Sequence, residues 1–242
     1  MMTRIPLNAA LVLSLLLTAC AGGPGGVPGF SDDDDDGFSN PGPLTPPANH
    51  GPRELLPDLT VDEPLLASSW ETGTEDPSTQ ANECAVVEGC LVGDQGVRDV
   101  LRFDVGVANV GEKDLYIGTP NLESGDFTFS ACHGHYHHIG FAEYTLSNAS
   151  GVVATGRKQA FCLMDIADYQ GNGDSARYYD CAEQGISLGW EDVYDKSLDC
   201  QWIDVTGLPG GSYSLSVTVN AEGRVYESGP APNTVSVPVT LP

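Results

Sequence analysis

The tightest constraint on this chain is a period of two. Tyr213-Ser-Leu-Ser-Val-Thr-Val219 alternates apolar and polar side chains without a break, and Val235, Val237 and Val239 repeat the pattern over residues 233–241. Successive side chains of a strand point to opposite faces, so such a run buries one face and wets the other. Leu101, Phe103, Val105 and Val107 likewise share one face of residues 100–110, with Arg102, Asp104 and Gly106 on the other. Residues 115–117, 141–146, 151–164 and 201–206 read as further strands. They are divided by turn material such as Asn109-Val110-Gly111-Glu112 and Leu208-Pro209-Gly210-Gly211. No long stretch carries a 3.6-residue repeat. The pattern predicts an all-β fold, an antiparallel β-sandwich with long irregular loops over 119–133 and 166–200.

The first 20 residues stand apart. They hold one charge, Arg4, and an apolar run over 10–17 that is too short to span a bilayer. The run ends in Leu17-Thr18-Ala19-Cys20, which looks like a bacterial lipobox, where the cysteine becomes the lipidated N-terminus. Residues 21–52 are rich in Gly and Pro and contain five consecutive aspartates at 32–36, a composition that suits a disordered tether. Residues 53–242 remain for a single folded domain. The expected protein is exported and lipid-anchored to a bacterial cell envelope, on the outer membrane, touching the membrane only through that anchor.

Setting Cys20 aside, Cys84, Cys90, Cys132, Cys162, Cys181 and Cys200 form an even set. In an exported chain this predicts three disulfides tying the loops, and the sequence alone does not choose among about 15 pairings. The net charge is −24, and removing the five tether aspartates and Arg4 leaves 29 acidic against 9 basic residues, or −20, on residues 51–242. Such a charge argues against nucleic acid or anionic lipid as partners and favours cationic amines.

Four of the five histidines lie in Cys132-His133-Gly134-His135-Tyr136-His137-His138. On an extended strand His133, His135 and His137 would project from one face, with Tyr136 and His138 turned away. Three neutral imidazoles with open positions beside them suit Cu(II) or Zn(II), and the spacing does not separate the two.

Here the residues resemble a known family, the catalytic domain of lysyl oxidases. The likeness rests on the copper-binding Cys-His-x-His-x-His at Cys132 to His137. It extends through Gly156-Arg-Lys158-Gln-Ala-Phe161-Cys162-Leu163, then Gln184-Gly-Ile-Ser-Leu-Gly-Trp190-Glu-Asp192-Val-Tyr194, and Leu198-Asp-Cys200-Gln-Trp-Ile-Asp204-Val-Thr206. It runs from about Leu56 to the C-terminus.

The resemblance implies copper on His133, His135 and His137, and a self-derived lysine tyrosylquinone made from Lys158 and Tyr194. It implies oxidation of a primary amine, a peptidyl lysine or a small amine, by O₂, and a carboxylate base that Asp192, Asp165 and Asp204 are all placed to be. It further implies disulfides Cys84–Cys132, Cys90–Cys200 and Cys162–Cys181. Calcium would sit on Asp58, Leu59, Glu227 and Asn233, although residues 228–233 lack the family's next acidic ligand and one Asn, and Ca(II) favours six or more oxygens. Two other readings remain. One is a surface β-sandwich that binds copper without turnover. The other is a zinc hydrolase with Glu143 as base, which would leave the Lys158 and Tyr194 segments unexplained.

Overall fold

The alternating C-terminal run pairs with itself. In a computed structural model describing residues 55–91, 96–156, 161–174, 177–229, 231 and 233–242, Gly211–Val219 lies antiparallel to Thr234–Leu241. Tyr213 faces Val239, Leu215 faces Val237 and Val217 faces Val235, all buried. On the wet face the Ser216 and Ser236 hydroxyls meet at 2.7 Å, and Thr218 and Thr234 meet at 2.9 Å. Ala142–Asn148 adds on the other side and Gly151–Thr155 closes this four-stranded sheet. The expected signal segment, Cys20, the tether over 21–52 and Lys158 all lie outside the described residues.

A second four-stranded sheet runs in the order Leu59–Val61, Val105–Asn109, Trp190–Tyr194 and Ala167–Asp168, and shares one apolar core with the first. Leu101, Phe103, Val105 and Val107 are all fully buried in that core, yet residues 100–110 are not one strand. The chain breaks at Phe103-Asp104. Arg98–Arg102 joins a three-stranded sheet with Glu71–Glu75 and Trp202–Asp204, and Val105–Asn109 enters the second four-stranded sheet. The polar brake is Asp104, whose carboxylate accepts the Lys196 N–H at 2.6 Å, and whose own N–H donates to Ser69 Oγ at 3.0 Å. The expected all-β, disulfide-tied architecture is therefore present, built from more and shorter sheets than the alternation alone suggests.

Three further differences are local. The strand expected over 151–164 stops at Thr155, because Gly156 packs flat against Tyr144, where a Cβ would lie 2.9 Å from the side chain. The loop expected over 166–200 contains Trp190–Tyr194, a strand hydrogen-bonded on both sides, and the loop expected over 119–133 contains Phe127–Ser130. Two short helices, Glu63–Ser69 and Glu83–Val87, are too brief to leave a periodic signal. The first is marked by its cap: Asp62 Oδ1 accepts the Leu65 N–H at 3.0 Å, and Pro64 sits in the first turn.

One buried polar side chain, Asn109, ties these elements together through backbone groups. The Asn109 oxygen accepts the N–H groups of Asp58 and Gly111, and its amide nitrogen donates to the carbonyls of Lys113 and Ile186. Beneath the Trp190–Tyr194 strand, Glu191 points away from the face that carries Asp192 and Tyr194. Among the described residues its Oε2 is buried without a hydrogen-bond partner, and it would lie 2.5 Å from any Cβ at position 106, so Gly106 makes room for it. Burial, and then the nearby Asp62 charge, push the Glu191 carboxyl up to about 7.

Two consequences are measurable by denaturant unfolding. Leu215→Ala empties a fully buried position and should cost about 2–5 kcal/mol, whereas Ser216→Ala on the wet face should change stability by about 0.5 kcal/mol or less. A carboxyl raised from 4.5 to about 7 is favoured in its protonated form by folding. Its contribution is therefore greatest below about pH 4.5, declines as pH rises to about 7, and is then wholly lost. Glu191→Gln should remove that decline, and the wild-type-minus-variant difference across the window should be on the order of 1–3 kcal/mol. Equal slopes for the two proteins would show that Glu191 ionises freely.

Candidate metal and tyrosine site

Phe127–Ser130 and His135–His138 form a hairpin, with Ser130 opposite His135 and Phe127 opposite His138. His135 and His137 project from one face of its second strand, as the alternation requires. His133 is not on the strand but in the turn before it. Gly134 takes φ +71°, and the turn is closed by hydrogen bonds from Gly134 N–H to the Ser130 carbonyl (2.8 Å) and from His133 N–H to Ser130 Oγ (3.2 Å). This left-handed step, cheap only for glycine, brings the His133 ring back beside the other two. Ring centroids stand 5.2 Å (His133–His137), 5.8 Å (His133–His135) and 4.9 Å (His135–His137) apart.

Imidazoles bound to one ion with metal–nitrogen bonds of about 2.0–2.1 Å would have centroids roughly 5 Å apart, so the three rings suit a single transition metal. The Nε2 atoms of His135 and His137 are 3.1 Å apart. Tyr136 and His138 turn away as expected. Tyr136 packs edge-on to Phe129, and His138 lies between Phe127 and Phe141, where burial lowers its pKa and keeps it neutral.

Opposite the histidines lies Tyr194, at the end of the Trp190–Tyr194 strand. Asp192, two residues earlier and therefore on the same face, receives the Tyr194 hydroxyl in a short hydrogen bond, and the Cys162 carbonyl lies 3.3 Å from that hydroxyl. Phe161 packs on the Tyr194 ring at 4.3 Å between centroids. Burial, and then the Asp192 charge and hydrogen bond, raise the Tyr194 hydroxyl well above its ordinary pKa, so it is a neutral phenol. A cavity of about 320 Å³ joins the groups: the three histidines on one side, Asp192 and Tyr194 on another, and an apolar wall that includes Met164, Ile166 and Leu198.

The structure separates the three carboxylates that the sequence leaves equivalent. Asp165 is fully buried, and its oxygens accept from the N–H groups of Ser187, Tyr178 and Tyr179 and from the Ser187 hydroxyl, so it organises a loop. Asp204 pairs with Arg98 at 3.0 Å in the three-stranded sheet. Asp192 alone of the three lines the cavity and touches Tyr194. Glu143 is exposed on the outer sheet, opposite Thr218, and does not line the cavity, so the hydrolase reading loses its base.

What holds the two halves of the site together is largely covalent and polar. Cys84 is bonded to Cys132, Cys90 to Cys200 and Cys162 to Cys181. Gln184, fully buried, donates to the Tyr136 carbonyl (2.8 Å) and accepts the Leu163 N–H (3.2 Å), and His138 and Phe161 exchange backbone hydrogen bonds of 2.6 and 3.1 Å. The sequence reading missed Glu88, which follows the Glu83–Val87 helix and places Oε2 at 3.3 Å from His133 Nε2. Its only signal is its position between Cys84 and Cys90. Glu88 also adjoins the Cys90–Cys200 pair, but those sulfurs are bonded to each other and offer no thiolate to a metal.

Asp58, Leu59, Glu227 and Asn233 also come together, at the first strand. Glu227 Oε2 accepts the Leu59 N–H at 2.6 Å, and its Oε1 accepts the Asn233 and Asn220 amides at 2.7 and 2.6 Å. Asp58 Oδ2 accepts the Ala231 N–H at 3.3 Å, while its Oδ1 is buried with no hydrogen-bond partner among the described residues. The cluster thus straps Glu227, Ala231 and Asn233 to the start of the first strand, with one oxygen left bare among the described residues.

Comparison with known proteins points the same way. The family model for lysyl oxidase matches residues 57–241. Over 187 residues, 72% of this chain, the sequence is 36% identical to lysyl oxidase homolog 3B of Danio rerio and 35% identical to lysyl oxidase homolog 2 of Bos taurus. Identity to lysyl oxidase homolog 2 of Homo sapiens is 34% over the same length. The matched region spans under a quarter of those relatives, 22%, 23% and 23% of their lengths. With the family match covering nearly all of the folded residues and falling on this cavity, the chain belongs to the lysyl oxidase family.

Proposed function

We propose that the protein is a copper- and quinone-dependent amine oxidase, converting a primary amine, O₂ and water into an aldehyde, ammonia and hydrogen peroxide. The observation that carries this reading is a single cavity with three clustered imidazoles facing a buried Tyr194–Asp192 pair. A copper ion held by His133, His135 and His137, with a quinone derived from Tyr194 and Lys158, would supply the two-electron oxidation and pass the electrons to O₂. Lys158 lies three residues before Phe161 in sequence, and three residues of chain reach about 10 Å at most. Phe161 packs on the Tyr194 ring.

The chain's own residues would do the rest. Asp192 already accepts the Tyr194 proton in its hydrogen bond, and the Met164 N–H holds the same oxygen at 3.2 Å. Asp192 is therefore the carboxylate we assign to proton removal, first from the phenol and later from the carbon beside the substrate nitrogen. The wall formed by Met164, Ile166 and Leu198 suits the alkyl chain of an amine and excludes water from the reacting end. The net charge of −24 would draw cationic amines toward the site. Within this reading, Asp58 Oδ1 would face a calcium ion. Three disulfides support export, with Cys20 as the lipid anchor.

Mass spectrometry of aerobically matured, copper-loaded protein should find the Lys158 and Tyr194 peptides joined by a bond that survives reduction and alkylation. Lys158→Met and Tyr194→Phe should each remove that link and lower peroxide release from primary amines at least a thousandfold, while copper stays bound. Separate peptides in copper-replete protein would leave a copper-binding module without turnover. Asp192→Asn, which keeps the hydrogen-bond geometry and loses the base, should lower kcat by roughly 10²–10⁴-fold.

A further inference from the structure

The carboxylate of Glu88 makes a second contact besides His133: its Oε1 accepts the Ser130 hydroxyl at 2.8 Å, and Ser130 Oγ in turn accepts the His133 N–H at 3.2 Å. Main chain and ring of His133 are thus both tied to one carboxylate, through a closed loop of Glu88, Ser130 and His133. Glu88 itself is held firmly. Its N–H caps the Glu83–Val87 helix on the Cys84 carbonyl at 2.8 Å, and disulfides leave the chain four residues before it, at Cys84, and two residues after it, at Cys90. The first of those bridges ends at Cys132, the residue next to His133.

An ionised carboxylate only accepts hydrogen bonds. With Glu88 Oε2 as the acceptor across the 3.3 Å contact, His133 Nε2 is the donor and the ring's lone pair is left on Nδ1. We infer that Glu88 is a positioning residue of the metal site, fixing the ring orientation and tautomer of His133 so that Nδ1 is the ligand atom. It acts through His133 and touches neither substrate nor the oxidised ring. The inference rests on the metal-binding reading of the three histidines, and on copper only as the expected ion.

The test is a chelator-competition titration with Cu(II), and in parallel with Zn(II), on full-length exported protein whose disulfides have been mapped. Glu88→Ala should weaken metal binding by about 10–100-fold, the usual cost of losing a carboxylate behind a ligating histidine. Glu88→Gln, whose amide oxygen can accept the same N–H, should stay within about threefold of wild type. Zinc-loaded protein with ¹⁵N-labelled histidine should show His133 bound through Nδ1 with its Nε2 protonated, and that signature should be lost in Glu88→Ala.

Unchanged affinity in Glu88→Ala, or metal on His133 Nε2, would overturn the assignment. If Glu88→Ala does not fold, Ser130→Ala, which cuts the other arm of the loop, should still weaken binding several-fold, and no loss there would overturn it equally. A wild-type protein that takes zinc and refuses copper would sink the oxidase reading while leaving Glu88 to be judged on zinc. Binding of neither ion would end both.

Discussion

The site depends on how the histidine hairpin is fastened to the rest of the protein. Among the described residues, Phe127–Ser130 and His135–His138 form a sheet only with each other, and a lone two-stranded hairpin is marginal in water. Its position relative to Tyr194 comes from three ties: the His138–Phe161 backbone bridge, the buried Gln184 amide between Tyr136 and Leu163, and the Cys84–Cys132 disulfide. The first two anchor the His135–His138 strand to the segment that packs on Tyr194. The third fixes the turn that carries His133. Apolar burial builds the floor of the cavity, while directional bonds set its geometry.

That division also explains what the sequence revealed. The sheet of Gly211–Val219 and Thr234–Leu241 was legible because one face is buried and the other wet, so the period of two is written residue by residue. Trp190–Tyr194 was hidden inside a presumed loop because it is covered on both faces, so Trp190, Glu191, Asp192 and Tyr194 are all buried and no alternation survives. The break at Asp104 was hidden for a related reason: apolar residues continue through it and remain in one core. The histidine cluster was legible as a cluster, and its convergence was expected from strand geometry. The convergence in fact needs a glycine in the left-handed region at position 134.

The two faces of one strand carry different chemistry. Asp192 and Tyr194 look into the cavity, while Glu191, between them in sequence, looks into the protein against Gly106 and Asp62. Placing a carboxyl there with one oxygen unpartnered among the described residues costs stability near neutral pH, where burial opposes its ionisation. It is tolerated because the strand is hydrogen-bonded to Val105–Asn109 on one side and Ala167–Asp168 on the other.

Asn109 shows what this construction means for the range of sequences that can keep the fold. Where alternating apolar residues face a common core, one aliphatic side chain can replace another of similar volume at modest cost, so the outer sheet can drift. The Asn109 amide instead serves four backbone groups, those of Asp58, Gly111, Lys113 and Ile186. Any replacement breaks all four bonds at once, and the buried pair to Asp58 and Ile186 costs about 1–3 kcal/mol for each group left unsatisfied. A chain assembled this way has few interchangeable parts around Asn109, and its freedom to vary lies in the alternating sheet of Gly211–Val219 and Thr234–Leu241.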